Sequence, residues 1–342
     1  MQIRARAPLR LGLAGGGTDV SPYADRFGGY VLNATIDRYA YAIVEPLDEP
    51  RLEFHSADHQ QEWRGPADAQ LSPEGPLLLA QSVYNRVVRD FTHGQPIPLR
   101  MTTYADAPAG SGLGSSSTLV VAMLKAYQEL LNLPLGDYEL AHLAYEIERI
   151  DAGLQGGRQD QYAATFGGFN FMEFYASDRV IVNPLRVKNW ILSELEASLL
   201  LFYTGQSRES ARIINDQIAN VTRDSSDAVN AMHALKQDAV VMKESLLRGD
   251  FAGFVASMQQ SWAAKKRTAS TVTNALLDDV YETAMAAGAL AGKVSGAGGG
   301  GFMMLFVDPV HRMDVIRALE RFSGQIRNCH FTKRGTEGWR IN

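Results

Sequence analysis

In the first hundred positions, short runs of apolar residues alternate with polar ones, as at residues 30–33 and 39–44, and polar connections separate the runs. That two-residue period predicts strands. Residues 76–91 instead repeat their apolar positions at helical spacing, so a helix packed on a sheet is expected there. Near residue 100, Leu99, Met101 and Thr103 alternate with Arg100, Thr102 and Tyr104, after which Leu119, Met123, Tyr127 and Leu130 recur at helical spacing. The pattern further predicts helices through Leu131 and over residues 138–151 and 159–166, then a strand over 168–174. From Leu199 the run LLLFYTG has the character of a buried strand, followed by helices at residues 207–221, 227–248 and 251–264. The last portion alternates helix and strand, at residues 274–287, 302–307, 309–322 and 325–331. Together these predict an α+β chain in two units, residues 1–190 and 191–342, with the boundary in the interval 185–198.

Where the period changes from strand to helix lies PAGSGLGSSS, residues 108–117. A strand, a glycine and serine run and a helix in succession make an anion cradle, because the unpaired N–H groups of the first helical turn carry partial positive charge. Gly110, Gly112 and Gly114 remove side chains that would hold a polyphosphate off the backbone, and Ser115, Ser116 and Ser117 add hydroxyls for phosphate oxygens or a metal. Pro108, Ser111 and Leu113 complete the candidate phosphate-binding segment. The GxxxxGK[ST] pattern is absent, since the nearest downstream lysine, Lys125, lies well inside the helix. On this segment alone a flexible, serine-capped surface loop is the competing reading.

Composition narrows the partners. Over 342 residues, 33 lysines and arginines against 38 acidic residues give a formal net charge of -5, which offers a nucleic-acid or anionic-membrane partner no electrostatic support. A small-molecule substrate is expected. Cys329 is the only cysteine, which excludes an internal disulfide framework and suits a structural thiol in a cytoplasmic protein. Arg10, Gly12, Gly15, Gly16 and Gly17 interrupt any hydrophobic signal region, and no run approaches the roughly 18 apolar residues of a membrane span. His55 and His59 have i,i+4 spacing, but their polar surroundings favour a solvated loop over a zinc site.

Two further glycine segments flank the cradle: APLRLGLAGGGTD at residues 7–19 and KVSGAGGGGF at residues 293–302. In this order the three segments resemble the signature motifs of the GHMP kinase superfamily, named for galactokinase, homoserine kinase, mevalonate kinase and phosphomevalonate kinase. The second and third match closely and the first more loosely. The resemblance implies a two-domain fold, with an N-terminal part similar to ribosomal protein S5 domain 2 and a ferredoxin-like C-terminal part. It also implies an ATP-dependent sugar kinase. Galactokinases carry glutamate and histidine before the threonine and aspartate of the first motif; here Gly16 and Gly17 precede Thr18 and Asp19. The segments DVSPYADRFGGYVLNATI, GGRQDQYAATFGGFNF and WAAKKR are similar instead to bacterial D-glycero-D-manno-heptose 7-phosphate kinases, which serve nucleotide-activated heptose pathways for surface and capsule polysaccharides. Fucokinase-like and galactokinase-like sugar 1-kinases are the alternatives.

What the resemblance implies can be placed residue by residue. Pro108, Gly110, Ser111, Gly112, Leu113, Gly114, Ser115 and Ser116 would hold ATP, and Ser116 with Glu148 would hold Mg²⁺. Glu148 lies twelve residues before Asp160, the superfamily's interval between its metal-linked glutamate and catalytic aspartate, although helical periodicity alone leaves Glu146 and Glu148 both open. Asp160 is the expected catalytic base, accepting the hydroxyl proton as transfer proceeds, with Arg10 stabilising it or the developing oxyanion. Thr18 and Asp19, with Gly16, Gly17 and Gly298, would face the sugar. A 7-phosphate needs a second anion site, for which Arg208, Lys265, Lys266 and Arg267 are available. A homodimer is compatible with these readings. Two other classes compete: a sugar and nucleotide sensor without turnover, and a dinucleotide oxidoreductase, against which stands the absence of a GxGxxG opening an N-terminal βαβ unit.

Overall fold

A computed structural model describes residues 1–205 and 210–342. The strands are β1 (Gln2–Ala14), β2 (Gly29–Pro46), β3 (Arg51–Ser56), β4 (Gln61–Pro66), β5 (Leu99–Ala105), β6 (Phe169–Phe174), β7 (Val180–Pro184), β8 (Leu199–Tyr203), β9 (Ala289–Val294), β10 (Phe302–Val307), β11 (Gln325–Asn328) and β12 (Glu337–Ile341). The helices are α1 (Tyr23–Phe27), α2 (Leu78–Phe91), α3 (Ser115–Leu131), α4 (Asp137–Glu146), α5 (Gln159–Phe166), α6 (Asn189–Ser198), α7 (Ser210–Thr222), α8 (Ser226–Arg248), α9 (Phe251–Thr268), α10 (Ala275–Ala286) and α11 (Arg312–Leu319).

The first sheet runs β12-β1-β2-β5-β3-β4, and β2 also carries β6, which pairs β7. In β1 burial changes along the strand: it alternates near Gln2–Arg6 and is continuous from Ala7 to Ala14. The cause is packing on both faces, since α3 and α5 cover β1 on one side and α8 and α9 approach it on the other. The second sheet is antiparallel, in the order β11-β8-β10-β9. Numbered within this unit that is 4-1-3-2, the ferredoxin-like arrangement.

β10 shows how a two-residue period divides a core. Phe302, Met304 and Phe306 pack with Leu9, Leu11 and Leu13 of β1 and Met242 and Met258 of the α8 and α9 layer. Met303, Leu305 and Val307 point the other way, into a separate cluster with Leu277 and Val280 of α10 and Val315 and Leu319 of α11. The first of these clusters joins the two sheets and brings the three glycine segments to one seam.

The two strand runs expected at residues 30–33 and 39–44 are one long β2, irregular where it pairs with β1 near Pro8–Arg10 and Gly12–Ala14. The helix expected over 138–151 is α-helical only to Glu146; Ile147–Asp151 is a single wider π turn. His55 lies in β3 rather than in a loop, with its Nε2 buried, and His59 follows in the turn to β4. Cys329 is buried in the shared core, where burial pushes its thiol pKa up. β12 has no counterpart in the sequence expectations and returns the chain to β1. Among the described residues no helix is long and apolar enough to cross a membrane.

Candidate active site

β5 delivers the chain to the glycine and serine loop and α3 takes it away. Gly114, the residue before the helix, has φ 78° and no side chain caps the first turn, so its N–H groups face the cavity side unblocked. The loop is clamped from the far side by the third glycine segment: Ser295 Oγ donates to Gly112 O at 2.9 Å and Phe302 N donates to Ser111 O at 2.9 Å. At Gly112 (φ +80°) a Cβ would lie 2.3 Å from Ser295 O, so only glycine permits this approach. A cavity of about 480 Å³ opens over the loop, lined on this side by Ala109, Gly110, Gly112, Gly114 and Ser115 to Ser117. Ser111 and Leu113 are buried and face the protein instead, and Pro108 is exposed outside the cavity lining. Pro108 O accepts from Ser111 N, and buried Leu113 O accepts from Arg10 N, both at 3.1 Å.

Arg10 and Asp160 meet at the cavity. Asp160 opens α5, and its Oδ1 accepts from Arg10 Nε at 2.6 Å. Arg10 is 4% exposed and also donates through Nη1 to Gly112 O at 2.5 Å, which ties the ion pair to the loop. Next to it, Asp19 is buried and accepts from Gln159 N at 3.1 Å, Gln159 Nε2 at 3.0 Å and Gly17 N at 3.1 Å. A Cβ on Gly157 would fall 1.9 Å from Asp19 Oδ2, so the GG turn before α5 is what lets the carboxylate sit at the helix N-terminus.

The π turn separates the two glutamates that periodicity could not. Glu146 accepts from Arg86 at 2.8 Å, in a network with Asp151 away from the cavity. Glu148 lines the cavity, is 2% exposed, accepts from Gln161 Nε2 at 2.7 Å and pairs with Arg149 at 3.3 Å. Glu148 lies within that wider turn, and Glu146 in the α-helical part before it. Gln161 and Arg149 also reach Ser117 Oγ, at 3.2 and 3.4 Å. Carboxylate and hydroxyl oxygens thus converge beside the helix N-terminus.

Of the residues expected to face the sugar, Asp19 and Gly17 line the cavity. Thr18 does not: its buried hydroxyl lies 2.7 Å from Gly15 O and 2.9 Å from Tyr30 O, fixing the loop from behind. Gly16 lines a small adjoining cavity, and Gly298 sits against Val272. Arg208 lies outside the described residues. In WAAKKR the helix turns Lys266 and Arg267 outward, towards Asp278 and Asp227, and only Lys265 inward. The sequence reading missed Gln159, Gln161 and Arg149, polar neighbours of Asp160 and Glu148 whose adjacency in sequence was the available signal. It also missed Lys293, the first residue of the third segment.

Lys293 Nζ donates to Leu13 O at 2.8 Å and Gly12 O at 3.2 Å. Burial, reinforced by Lys265 and opposed by Asp238, lowers its pKa to about 7, and burial lowers that of Lys265 to about 8. The folded protein therefore binds fewer protons than the unfolded chain between these values and the ordinary lysine range, so stability rises with pH across that window and the cost of charging is fully present below it. Urea unfolding at pH 7 and pH 9 is expected to show a smaller gain for Lys293→Met than for the unsubstituted protein. An equal gain in both would remove Lys293 as the source.

The models of the GHMP kinase N-terminal and C-terminal domains match residues 79–168 and 242–324. A D-glycero-alpha-D-manno-heptose 7-phosphate kinase from Campylobacter jejuni is 50% identical over 339 residues, 99% of each chain. This chain belongs to the GHMP kinases. The crystal structure of a D-glycero-D-manno-heptose 1-phosphate kinase from Bacteroides thetaiotaomicron matches this GHMP kinase with a TM-score of 0.85 at 46% identity, covering 99% of each chain. An L-fucokinase/L-fucose-1-P guanylyltransferase from Bacteroides fragilis is 26% identical over 90% of this chain and 35% of its own length. The matched N-terminal span holds the cradle, Glu148 and Asp160, and the C-terminal span holds Lys265 and the third glycine segment. Membership makes the protein an ATP-dependent phosphotransferase.

Proposed function

We propose that this GHMP kinase transfers the γ-phosphoryl group of ATP to the anomeric hydroxyl of D-glycero-D-manno-heptose 7-phosphate, giving the 1,7-bisphosphate. The observation that carries the reading is the ion pair of buried Arg10 with partly exposed Asp160, whose carboxylate stands beside Gly114 of the cradle: a Cβ on that glycine would lie 3.1 Å from Asp160 Oδ2. The sugar is taken from the relative at 50% identity. The cradle N–H groups hold the triphosphate and Asp19 orients the sugar. Asp160 accepts the proton of the attacking hydroxyl as the new O–P bond forms and the bond to the β-phosphate oxygen breaks, releasing ADP. Arg10 keeps the carboxylate aimed and offsets charge building on the transferred group.

Mg²⁺ fits the donor set. Ser116 and Glu148 offer two hard oxygen donors on the cavity wall, and the described residues contain no group of three acids, histidines or cysteines that would cage an ion. That suits an ion that keeps waters and takes phosphate oxygens as ligands. When bound there it would neutralise phosphate charge. Glu148→Gln is expected to lower kcat roughly 100-fold and raise the Mg²⁺ concentration needed for half-maximal rate, whereas Glu146→Gln leaves both within about threefold. Rates measured across a Mg²⁺ titration decide between them, and equal effects would remove Glu148 as the metal ligand.

The reading also places the protein in the cytoplasm, where ATP is supplied, ahead of nucleotide activation of the heptose for surface polysaccharides. Incubation with Mg-ATP and a panel of sugars and sugar phosphates, with the product's phosphate position read by phosphorus NMR, tests the proposal. Formation of a heptose bisphosphate phosphorylated at the anomeric carbon is expected. Turnover of fucose or galactose with none of any heptose phosphate would overturn it.

A further inference from the structure

We propose that Lys265 binds the phosphate group that the acceptor sugar already carries, and so selects a sugar phosphate over a free sugar. This rests on the sugar-kinase reading above. Among the described residues three cationic side chains line the cavity, and two of them have a carboxylate partner in the fold: Arg10 pairs with Asp160 at 2.6 Å and Arg149 with Glu148 at 3.3 Å. Lys265 has none within 4.0 Å among the described residues. Lys265 is 5% exposed, and its ammonium group makes one hydrogen bond, to Gly16 O at 2.8 Å, although it has three N–H donors. A buried cation with two unused donors facing a cavity is costly unless an anion enters, and the cost is the selectivity: a ligand that brings the anion recovers it and one that does not leaves it standing.

The position assigns that anion to the acceptor rather than to ATP. The triphosphate side of the cavity is marked by the cradle and by Asp160 beside Gly114. Lys265 belongs to the Asp19 side: its Nζ would be 3.1 Å from a Cβ on Gly17, and Asp19 is the acidic group close enough to favour its charged form. Asp19 is not its ion-pair partner: the carboxylate oxygens are held by donors from Gln159 and Gly17, and no Asp19–Lys265 pair forms within 4.0 Å. Among the described residues the neighbouring wall is apolar or neutral, from Ala211, Ile214 and Gln217, and adds no second cation there.

The test compares the unsubstituted protein with Lys265→Met and Lys265→Arg on D-glycero-D-manno-heptose 7-phosphate and on the same heptose without its phosphate, at saturating Mg-ATP. Lys265→Met is expected to raise KM for the heptose phosphate on the order of 100-fold with kcat within about threefold. Its KM for ATP and its use of free heptose should stay near those of the unsubstituted protein, and Lys265→Arg should restore part of the phosphate preference. Inorganic phosphate should compete with the acceptor in the unsubstituted protein and lose that effect in Lys265→Met, a readout that needs no turnover of free heptose. A melting temperature unchanged or raised in Lys265→Met would exclude misfolding as the cause. Equal losses on both acceptors, or a loss confined to ATP, would overturn the inference and leave Lys265 as a support for Gly16. An unsubstituted protein that takes a different sugar phosphate would overturn the heptose assignment instead, with Lys265 decided by the same comparison on that sugar. One that prefers free sugars would overturn both.

Discussion

Asp160→Asn is expected to lower kcat by about three orders of magnitude while ATP affinity changes by only a few fold. Asparagine keeps the size of the side chain but cannot accept the hydroxyl proton. It also takes the counter-charge away from buried Arg10, leaving a neutral amide oxygen to accept from Nε, so the arginine is held less firmly where the transferred charge develops. The nucleotide site survives because the cradle is built from backbone N–H groups and from contacts with the third glycine segment. A coupled ADP assay gives kcat, and calorimetric titration with ATP gives the affinity. Turnover within tenfold of the unsubstituted protein would remove Asp160 as the base, and binding of both ligands by an unsubstituted protein that never turns over would favour a sensor.

The second large effect is expected at Gly112→Ala. The left-handed backbone costs an alanine about 1 kcal/mol or more, and its Cβ would be driven to 2.3 Å from the carbonyl oxygen of Ser295, which is backbone and cannot swing away. The loop must separate from the third segment. Gly112 O is also where Arg10 Nη1 and Ser295 Oγ both donate, so the displacement reaches the ion pair at Asp160. ATP affinity is expected to fall on the order of 100-fold, with a melting temperature lower by several degrees. Gly94→Ala is the control: Gly94 has φ +79° but no atom within 4 Å of a Cβ, so it should show only the backbone cost and unchanged ATP binding. Equal behaviour of the two variants would show that the Gly112 contact is unimportant.

The parts of the site that could be read from the sequence are those in which chemistry and local backbone coincide. The cradle is such a case, because its glycines, serines and following helix are contiguous. Asp160 is another, as the first acidic residue after a glycine turn. What could not be read depends on closure over long distances. The wider turn at Ile147–Asp151, which carries Glu148 but not Glu146, is invisible to a 3.6-residue period. Thr18 sits one residue from a cavity-lining aspartate and still points away, because Gly15 and Tyr30 carbonyls claim its hydroxyl. Within Lys265, Lys266 and Arg267 the inward residue is set by how α9 packs on α8 and β9, which no run of basic residues reveals.

β1 carries Arg10, and its outer edge at Gln2–Arg6 is paired only by β12, residues Ile341 to Glu337. During synthesis on the ribosome that edge stays open for more than three hundred residues of elongation, since Arg6 must wait for Glu337, 331 positions later. A nascent chain can assemble the rest of the first sheet while exposing an unpaired edge on the strand that carries Arg10. Fragments ending before residue 337 should therefore recruit holding chaperones or associate through β1.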